Sequence, residues 1–453
     1  MPTVQVIDEK LLEDVKNSIR SADEAALRAV IDELRPADLA DLVEHLDPSE
    51  RPFIFKCLEP EGAGEVLVEI EPPVQERILN ELDNQVLAEI VQELDSDDAA
   101  DLVGDLPAER ARAIIETVEE EVSEDLEKLL PYPDDTAGGL MALEFVAVQD
   151  DATVEEAIET IRKKREEVEN VYYLFVVDRL ERLVGVVSLK DLVTEPPERK
   201  IRDIMNPEVI SVDVDADQEE VASMVKKYNL VTIPVVDRAH RLVGRITHDD
   251  VIDVIEKEAS EDMTLMAGVI HQEIAEESPL KISLARIPWL VGGLFGGILA
   301  AGVINQFESS LEKILALSFF FPVIMAMGGN SGTQAATIAV RGLATGDISL
   351  VNTGRRLWME LKVALMNGVI CGLILGFIVG IWLSDIYLGA VVSFSLVIII
   401  LNSGFIGTAV PMALKKLKVD PALATGPFVT TTNDIISLFI YLGLVTLSLK
   451  LRA

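Results

Sequence analysis

The sequence predicts a multidomain protein of α and α+β class. It should hold a superhelical domain of short helices, a duplicated α/β unit, a connector helix and a domain of five transmembrane helices. Three observations predict this. The pattern Leu-Arg-Pro-Ala-Asp-Leu-Ala-Asp-Leu-Val at 34–43 returns in kind at 94–103. A strand–turn–strand–helix pattern beginning at Leu174 returns 59 residues on, at Ile233. Five long apolar runs follow residue 280, and they hold one charged side chain between them, Asp434.

Charge separates the chain into two parts. It has 77 Asp and Glu against 39 Lys and Arg, a formal net charge of −38. Residues 281–453 carry seven of the acidic and twelve of the basic residues, which leaves 70 acidic and 27 basic for residues 1–280. A strongly acidic first part excludes nucleic acid as a partner and suits cations, although a solvated surface needs many of the same carboxylates. Cys57 and Cys371 lie in segments of different character, so no disulfide or thiolate metal site is expected. Met1 to Val15 carries acidic residues and no apolar core, so no cleavable signal is expected and the acidic part should be cytoplasmic.

Residues 1–130 read as an acidic helical domain. Pro or Asp/Ser starts are followed by apolar residues at helical spacing, as at Pro36, Pro60 and Ser96. Short helices repeated in this way suit a wound stack, with an ordinary bundle as the alternative. Residues 131–200 and 201–254 read as the two copies of the α/β unit. Leu174 to Asp178 and Arg182 to Ser188 match Ile233 to Asp237 and Arg241 to Thr247. Amphipathic helices precede them at Val154–Glu167 and Gln218–Tyr228. The duplication resembles a tandem pair of CBS domains. In that family the Asp of a Gly-x-x-Ser/Thr-x-x-Asp stretch can hold the ribose of an adenine nucleotide such as ATP. The matching residues are Ser188 with Asp191 and Thr247 with Asp250. A hydroxyl at a helix start suits a phosphate equally well as a cap, so both roles stay open.

Residues 255–280 read as a charged connector helix and 281–453 as the membrane domain. The apolar runs are Ile287–Phe307, Ile314–Val340, Val363–Ser384, Ile386–Leu414 and Pro421–Leu449, each long enough for a bilayer of ~30 Å. Lys281 and Arg286, Arg355 and Arg356, and Lys415, Lys416 and Lys418 fall on one side, that of the acidic part. By the positive-inside rule that side is the cytoplasm, and five spans put the C-terminus opposite. A carboxylate at bilayer depth costs roughly 2.5–3.5 kcal/mol and usually has a partner. The runs offer Asp434 no Lys or Arg, so a cation is the expected partner, with a protonated Asp as the alternative. The second run holds Pro322 and then Gly328-Gly329-Asn330-Ser331-Gly332-Thr333-Gln334, and the last holds Gly426-Pro427 before Thr430 to Asp434. Two broken helices lined by Asn330, Gly426, Thr430 and Asp434 would make an oxygen-rich site. Oxygen ligands without His or Cys favour magnesium or calcium over zinc or copper.

These motifs, with the acidic helical domain, the CBS pair, the connector and five spans, resemble the MgtE family of magnesium channels over nearly the whole chain. The resemblance implies no enzyme activity. It implies a homodimer in the cell membrane, surrounded by lipid, with the pore on the two-fold axis and Asp434 as the pore carboxylate. Cobalt, nickel and calcium are further candidate ions. It implies that intracellular magnesium binds the acidic domains and closes the pore through the connector, or plug, helix. The residues fit such a sensor. Asp97 and Asp101 share a helix face, as do Asp250 and Asp253, and Glu258, Glu261 and Asp262 share a connector face. Glu219 begins the second amphipathic helix and Asp420 stands before the last span. Two other classes compete. A gradient-coupled transporter would need a second intramembrane charge, and a membrane-anchored nucleotide or cation sensor leaves Asp434 without a role.

Overall fold

The structure is a computed structural model describing residues 9–21, 23–165, 168, 171–269, 279–345, 348, 353–424 and 426–452. Glu167, Asp347, residues 1–8 and residues 270–278 of the expected connector lie outside the described residues. The chain forms two compact units, residues 1–256 and 257–453.

The first unit opens with short helices. They are α1 (Glu9–Ser21), α2 (Glu24–Ile31), α3 (Pro36–Glu44), α4 (Arg51–Phe55), α5 (Pro60–Val68), α6 (Pro72–Glu81), α7 (Asn84–Val91), α8 (Ser96–Gly104), α9 (Ala108–Ile115) and α10 (Glu120–Leu129). Proline in the first turn sets the start of α3, α4, α5 and α6, where its missing N–H costs nothing. Each helix is too short to be stable alone, so packing holds it. Helices pack on the next but one, α3 on α5, α5 on α7, α7 on α9 and α8 on α10. This is the wound stack that the repeat predicts. Leu42, Leu67, Leu87 and Leu102 fill its core. Arg110 stitches neighbouring turns by donating to the carbonyls of Leu79 and Leu82 at 2.7 and 2.8 Å.

The two α/β copies have the same topology. The first has β1 (Ala147–Gln149), α11 (Val154–Lys163), β2 (Tyr173–Val177), β3 (Leu183–Ser188) and α12 (Leu189–Thr194). The second has β4 (Val212–Asp213), α13 (Gln218–Tyr228), β5 (Thr232–Val236), β6 (Leu242–Thr247) and α14 (His248–Ala267). In each copy the first strand runs parallel to the second, and the second pairs antiparallel with the third. The hairpins turn alike. Asp178 holds Arg182 and Asp237 holds Arg241, while Glu181 and His240 both have φ near +61°. Helix α13 has the predicted bounds, whereas α11 stops at Lys163. The boundary expected at 254/255 falls inside α14, which runs unbroken from His248 to Ala267.

The second unit holds α15 (Pro279–Gln306), α16 (Glu308–Lys313), α17 (Phe321–Ala344), α18 (Thr353–Trp382), α19 (Ile386–Lys416) and α20 (Gly426–Arg452). Among the described residues, five segments are long and apolar enough to cross a membrane: Pro279–Gln306, Leu315–Ala344, Thr353–Trp382, Ile386–Lys416 and Phe428–Arg452. Helix α17 packs against α19 and α20, and α18 packs along α19. Glycines at 372, 376 and 389 bring the α18 and α19 backbones close, the usual device where lipid offers no hydrophobic drive.

Candidate ion pathway and acidic cluster

The membrane site is built where α17 crosses α20. The second span is not broken at its glycines, contrary to the sequence expectation. A 3-10 turn at Leu315–Phe320 precedes α17, Pro322 sits in the first turn of that helix, and the α-helix continues through Gly328, Gly329 and Gly332. Proline is harmless there because the first-turn N–H has no helical acceptor. The glycines serve close approach instead. A Cβ at Gly328 would strike Ser437, and one at Gly332 would strike the Asn433 amide. In α20 the break lies ahead of the helix, at the 3-10 turn Ala422–Ala424, and α20 itself is continuous from Gly426.

This packing sets Asp434 against α17. An ideal Cβ on Gly329 would lie 3.4 Å from Thr430 Cγ2 and 3.6 Å from Asp434 Oδ1. The Thr333 and Thr430 hydroxyls approach to 3.5 Å, and the Thr430 hydroxyl also donates to the Gly426 carbonyl at 3.0 Å. Asp434 is half-buried, while its neighbour Asn433 is fully buried with no hydrogen-bond partner for its amide among the described residues. Asn330 is not buried beside them. It is exposed, one turn from Gln334 and two from Thr337, with the apolar Val323, Ala326 and Ile338 exposed around them. A polar stripe on a membrane-crossing helix needs water or protein to face it. The sequence pattern named Asn330 and Asp434 but could not say that one faces outward while the other rests on Gly329.

The start of α20 has a second neighbour. Gly426 has φ +46°, and the carbonyl of Met266, at the end of α14, occupies the space a side chain there would need. Asp420 accepts the Ala422 N–H at 2.8 Å and so shapes the turn before α20.

In the first unit, α8 and α14 bring carboxylates together. Burial, then the charges of Asp98 and Asp250, push the Asp97 carboxyl well above the usual carboxylate range. Burial, then Asp250 and Asp101, push Asp98 up to about 7. Asp250 is raised by burial, opposed by the Thr247 hydroxyl and N–H, which donate to it at 2.7 and 2.9 Å. Asp253 is raised by burial, then by Asp250 and Glu69. Each carboxylate thus destabilises the ionised form of the next, the setting in which a divalent cation binds favourably. Among the described residues no three such groups converge closely enough to hold a bare ion, so a cation here would keep water. Of the predicted sensor residues, Asp97 on α8 lies near Asp250 on α14, while Asp101 bears on Asp98 of its own helix and Asp253 on Asp250 of its own helix. Glu219 is exposed at the start of α13. Glu258, Glu261 and Asp262 lie on the later part of α14, within the second unit. Asp98, Asp249 and Glu69 were missed. The run Ser96-Asp97-Asp98 at a helix start was the available signal for the first.

The nucleotide candidates cap helices. Ser188 Oγ donates to Asp191 Oδ2 at 2.6 Å, and the Asp191 N–H donates to Ser188 Oγ at 3.1 Å. The Thr247 hydroxyl likewise donates to Asp250 Oδ2 at 2.7 Å, but here the second bond is the Thr247 N–H donating to the same carboxylate at 2.9 Å.

Comparison with known proteins agrees with the order of the domains. Residues 321–444 match the family of divalent cation transporters called MgtE, 34–135 match the MgtE intracellular N domain, and 137–198 and 201–257 match CBS domains. The chain is 41% identical over 330 residues to the magnesium transporter MgtE of Thermus thermophilus, covering 72% of this chain and 73% of that one. It belongs to the MgtE family of magnesium transporters. The MgtE of Enterococcus faecalis is 38% identical over 73% of each chain. Among solved structures, the cytosolic domain of the Mg2+ channel MgtE in complex with ATP is 38% identical. It covers 54% of this chain and 99% of that one, with a TM-score of 0.51. The soluble part of a magnesium transporter is 30% identical, covering 55% and 99%, with a TM-score of 0.50. This MgtE chain is thus a multi-pass membrane protein of a transporter family.

Proposed function

We propose that the chain is a magnesium-selective channel for magnesium uptake, closed from inside by magnesium bound to its acidic domains. The observation that carries this reading is Asp434 resting on Gly329 beside the exposed Asn330–Gln334 stripe of α17. A stripe of amides and hydroxyls next to one carboxylate suits a hydrated divalent ion, which exchanges water slowly and is best read through its shell. One protomer leaves the stripe uncovered, and α15 leaves Gly292, Gly293 and Gly297 without neighbours. A homodimer with the stripes facing across a two-fold axis covers both. The acidic unit is then cytoplasmic and the C-terminus lies on the opposite side, as the basic loops require.

Closure follows from charge and contact. Cations between α8 and α14 hold the repelling carboxylates together, and Glu219, Glu258, Glu261, Asp262 and Asp420 offer further ligands. The end of α14 rests on Gly426, two turns before Asp434, so its position bears on the mouth of α20. The relative solved with ATP supports an adenine nucleotide in the soluble domains, and the CBS resemblance makes Asp191 and Asp250 the candidates to face its ribose.

Recording from purified protein in a bilayer, with a magnesium gradient and no other, tests the reading. Current reversing at the magnesium equilibrium potential is expected. Flux that requires a proton or sodium gradient would replace the channel by a coupled transporter.

A further inference from the structure

The carboxylates of α8 and α14 repel one another, so something other than their own charge must hold α8 in place. At the start of α8 the N-cap residue Asp95 makes no side-chain capping bond, and in the first turn Asp97 accepts the N–H of its neighbour Asp98 at 3.0 Å. The cap comes from Glu144, 48 residues away. Glu144 Oε2 accepts the Ser96 hydroxyl at 2.8 Å, and Oε1 accepts the Ser96 N–H at 3.2 Å. The Leu143 N–H donates to the same Ser96 hydroxyl at 2.8 Å. Ser96 is 6% exposed, and Asp97 and Asp98 follow it directly.

Glu144 belongs to the stretch that opens the first CBS domain, ahead of β1. That segment is strapped across the second CBS domain instead. The Ala137 N–H donates to the Ala216 carbonyl at 2.7 Å and the Gly138 N–H to Val214 at 2.9 Å. Ala142 and Arg245 exchange both backbone bonds, at 2.8 and 2.9 Å. The strap lies so close to β6 that a Cβ at Gly244 would sit 2.7 Å from Met141 Sδ. Arg245 is two residues before Thr247, which holds the Asp250 carboxylate. The start of α8 and the start of α14 are therefore fixed to the same strand end through one short stretch of backbone.

We infer that Glu144 is a positioning residue for magnesium sensing: it latches Ser96 to the strap and so sets Asp97 and Asp98 opposite Asp250 before a cation arrives. A carboxylate suits this task twice over. It bonds two donors of one residue, and it meets the positive end of α8. It binds no ion itself. Without the latch, repulsion lets α8 swing away, and the cation must gather the carboxylates as well as bridge them. The inference rests on the sensor reading above.

The test uses the full chain in detergent or nanodiscs. Protease protection of the strap is measured against magnesium concentration for wild type, Glu144→Ala, Ser96→Ala, the double variant and Ser96→Thr. Both single variants should raise the midpoint by about tenfold or more, the scale of one lost hydrogen bond to a charged group. The double variant should do no worse than the stronger single one, because both remove the same latch. Ser96→Thr keeps the hydroxyl and should stay near wild type, which separates the latch from a general weakening of α8. Melting in magnesium-free buffer is read alongside. Variants that melt earlier but titrate like wild type would reduce Glu144 to a helix cap and overturn the inference, as would additive single effects. A wild type whose protection ignores magnesium would overturn the sensor reading and the latch with it.

Discussion

The carbonyl of Met266 lies against Gly426, in the space that a side chain at 426 would fill. Met266 is in the last turn of α14, and Gly426 opens α20 with φ +46°. The Gly426 carbonyl also accepts the Thr430 hydroxyl at 3.0 Å. Displacement of the end of α14 is therefore felt in the first turn of α20, two turns before Asp434. Gly426→Val places a β-branched residue in left-handed backbone and onto Met266. Strain alone should cost about 1–2 kcal/mol. With α14 pushed off its seat, open probability at high cytoplasmic magnesium should rise above wild type. Patch recordings paired with a melting curve check this, and wild-type closure with a wild-type melting temperature would remove the contact from the gating scheme.

Asp434→Ala should abolish magnesium flux into liposomes while the protein still reaches the membrane at normal levels. The charge burdens the fold and serves only the ion. Asp434→Asn keeps the shape and should lose flux or discrimination between divalent and monovalent ions. Asn330→Leu should reduce flux without lowering the stability of the protomer, because the side chain is exposed. Full flux in all three variants would move the pathway elsewhere.

The acidic cluster predicts a pH dependence with a definite sign. Asp97, Asp98 and Asp250 have raised pKa values, so the compact state binds their protons more tightly than a dispersed chain does. Its stability is therefore greatest below the ordinary carboxylate pKa and is lost as pH rises through the raised values. For Asp98 the window runs from 3.8 to about 7. In magnesium-free buffer the acidic unit of the full chain should melt at a higher temperature at pH 5 than at pH 8. The slope should be ~1.4 kcal/mol per pH unit for each group in its window, as an upper bound. Asp98→Asn should flatten the slope and add about 1–3 kcal/mol at pH 8, the scale of a removed buried charge. Calorimetry across that range decides it, and a slope of the opposite sign would mean that the carboxylates do not press on one another in solution.

Neutralising several carboxylates sets two effects against each other. Asp97, Asp101, Asp250 and Glu258 changed together to Ala lose repulsion, which favours compaction, and lose bridging ions, which opposes it. Loss of bridging should dominate for closing. More cytoplasmic magnesium should then be needed, by a shift of ~1–3 kcal/mol in coupling. Open probability against magnesium, read beside protease protection, measures it. A variant that closes at the wild-type concentration would leave these groups as a solvated surface.

Much of this site was legible because it rests on composition and period. An Asp alone in five apolar runs is visible without any contact. The equal spacing of Leu174 and Ile233 announced two α/β copies of one topology, which the paired hairpins with their Asp–Arg clasps repeat. The glycines of α17 were misread, because Gly328 and Gly332 look the same in sequence whether they break a helix or admit Ser437 and Asn433. Asp98 was passed over because i,i+4 spacing favours Asp97 with Asp101, and spacing along one helix says nothing about α14 opposite it.

By itself the sequence determined the separation of an acidic part from an apolar one, the helical repeat, the duplicated α/β unit and the spans. Each of these follows from local propensity and hydrophobic period, which are properties of neighbours along the chain. Only the tertiary structure decided that Asp434 rests on Gly329, that Met266 seats on Gly426, and that Glu144 reaches back 48 residues to cap α8. Those are contacts between backbones and single atoms of distant segments. They are set by close packing and hydrogen-bond geometry at about the ångström scale, which a one-dimensional pattern does not encode.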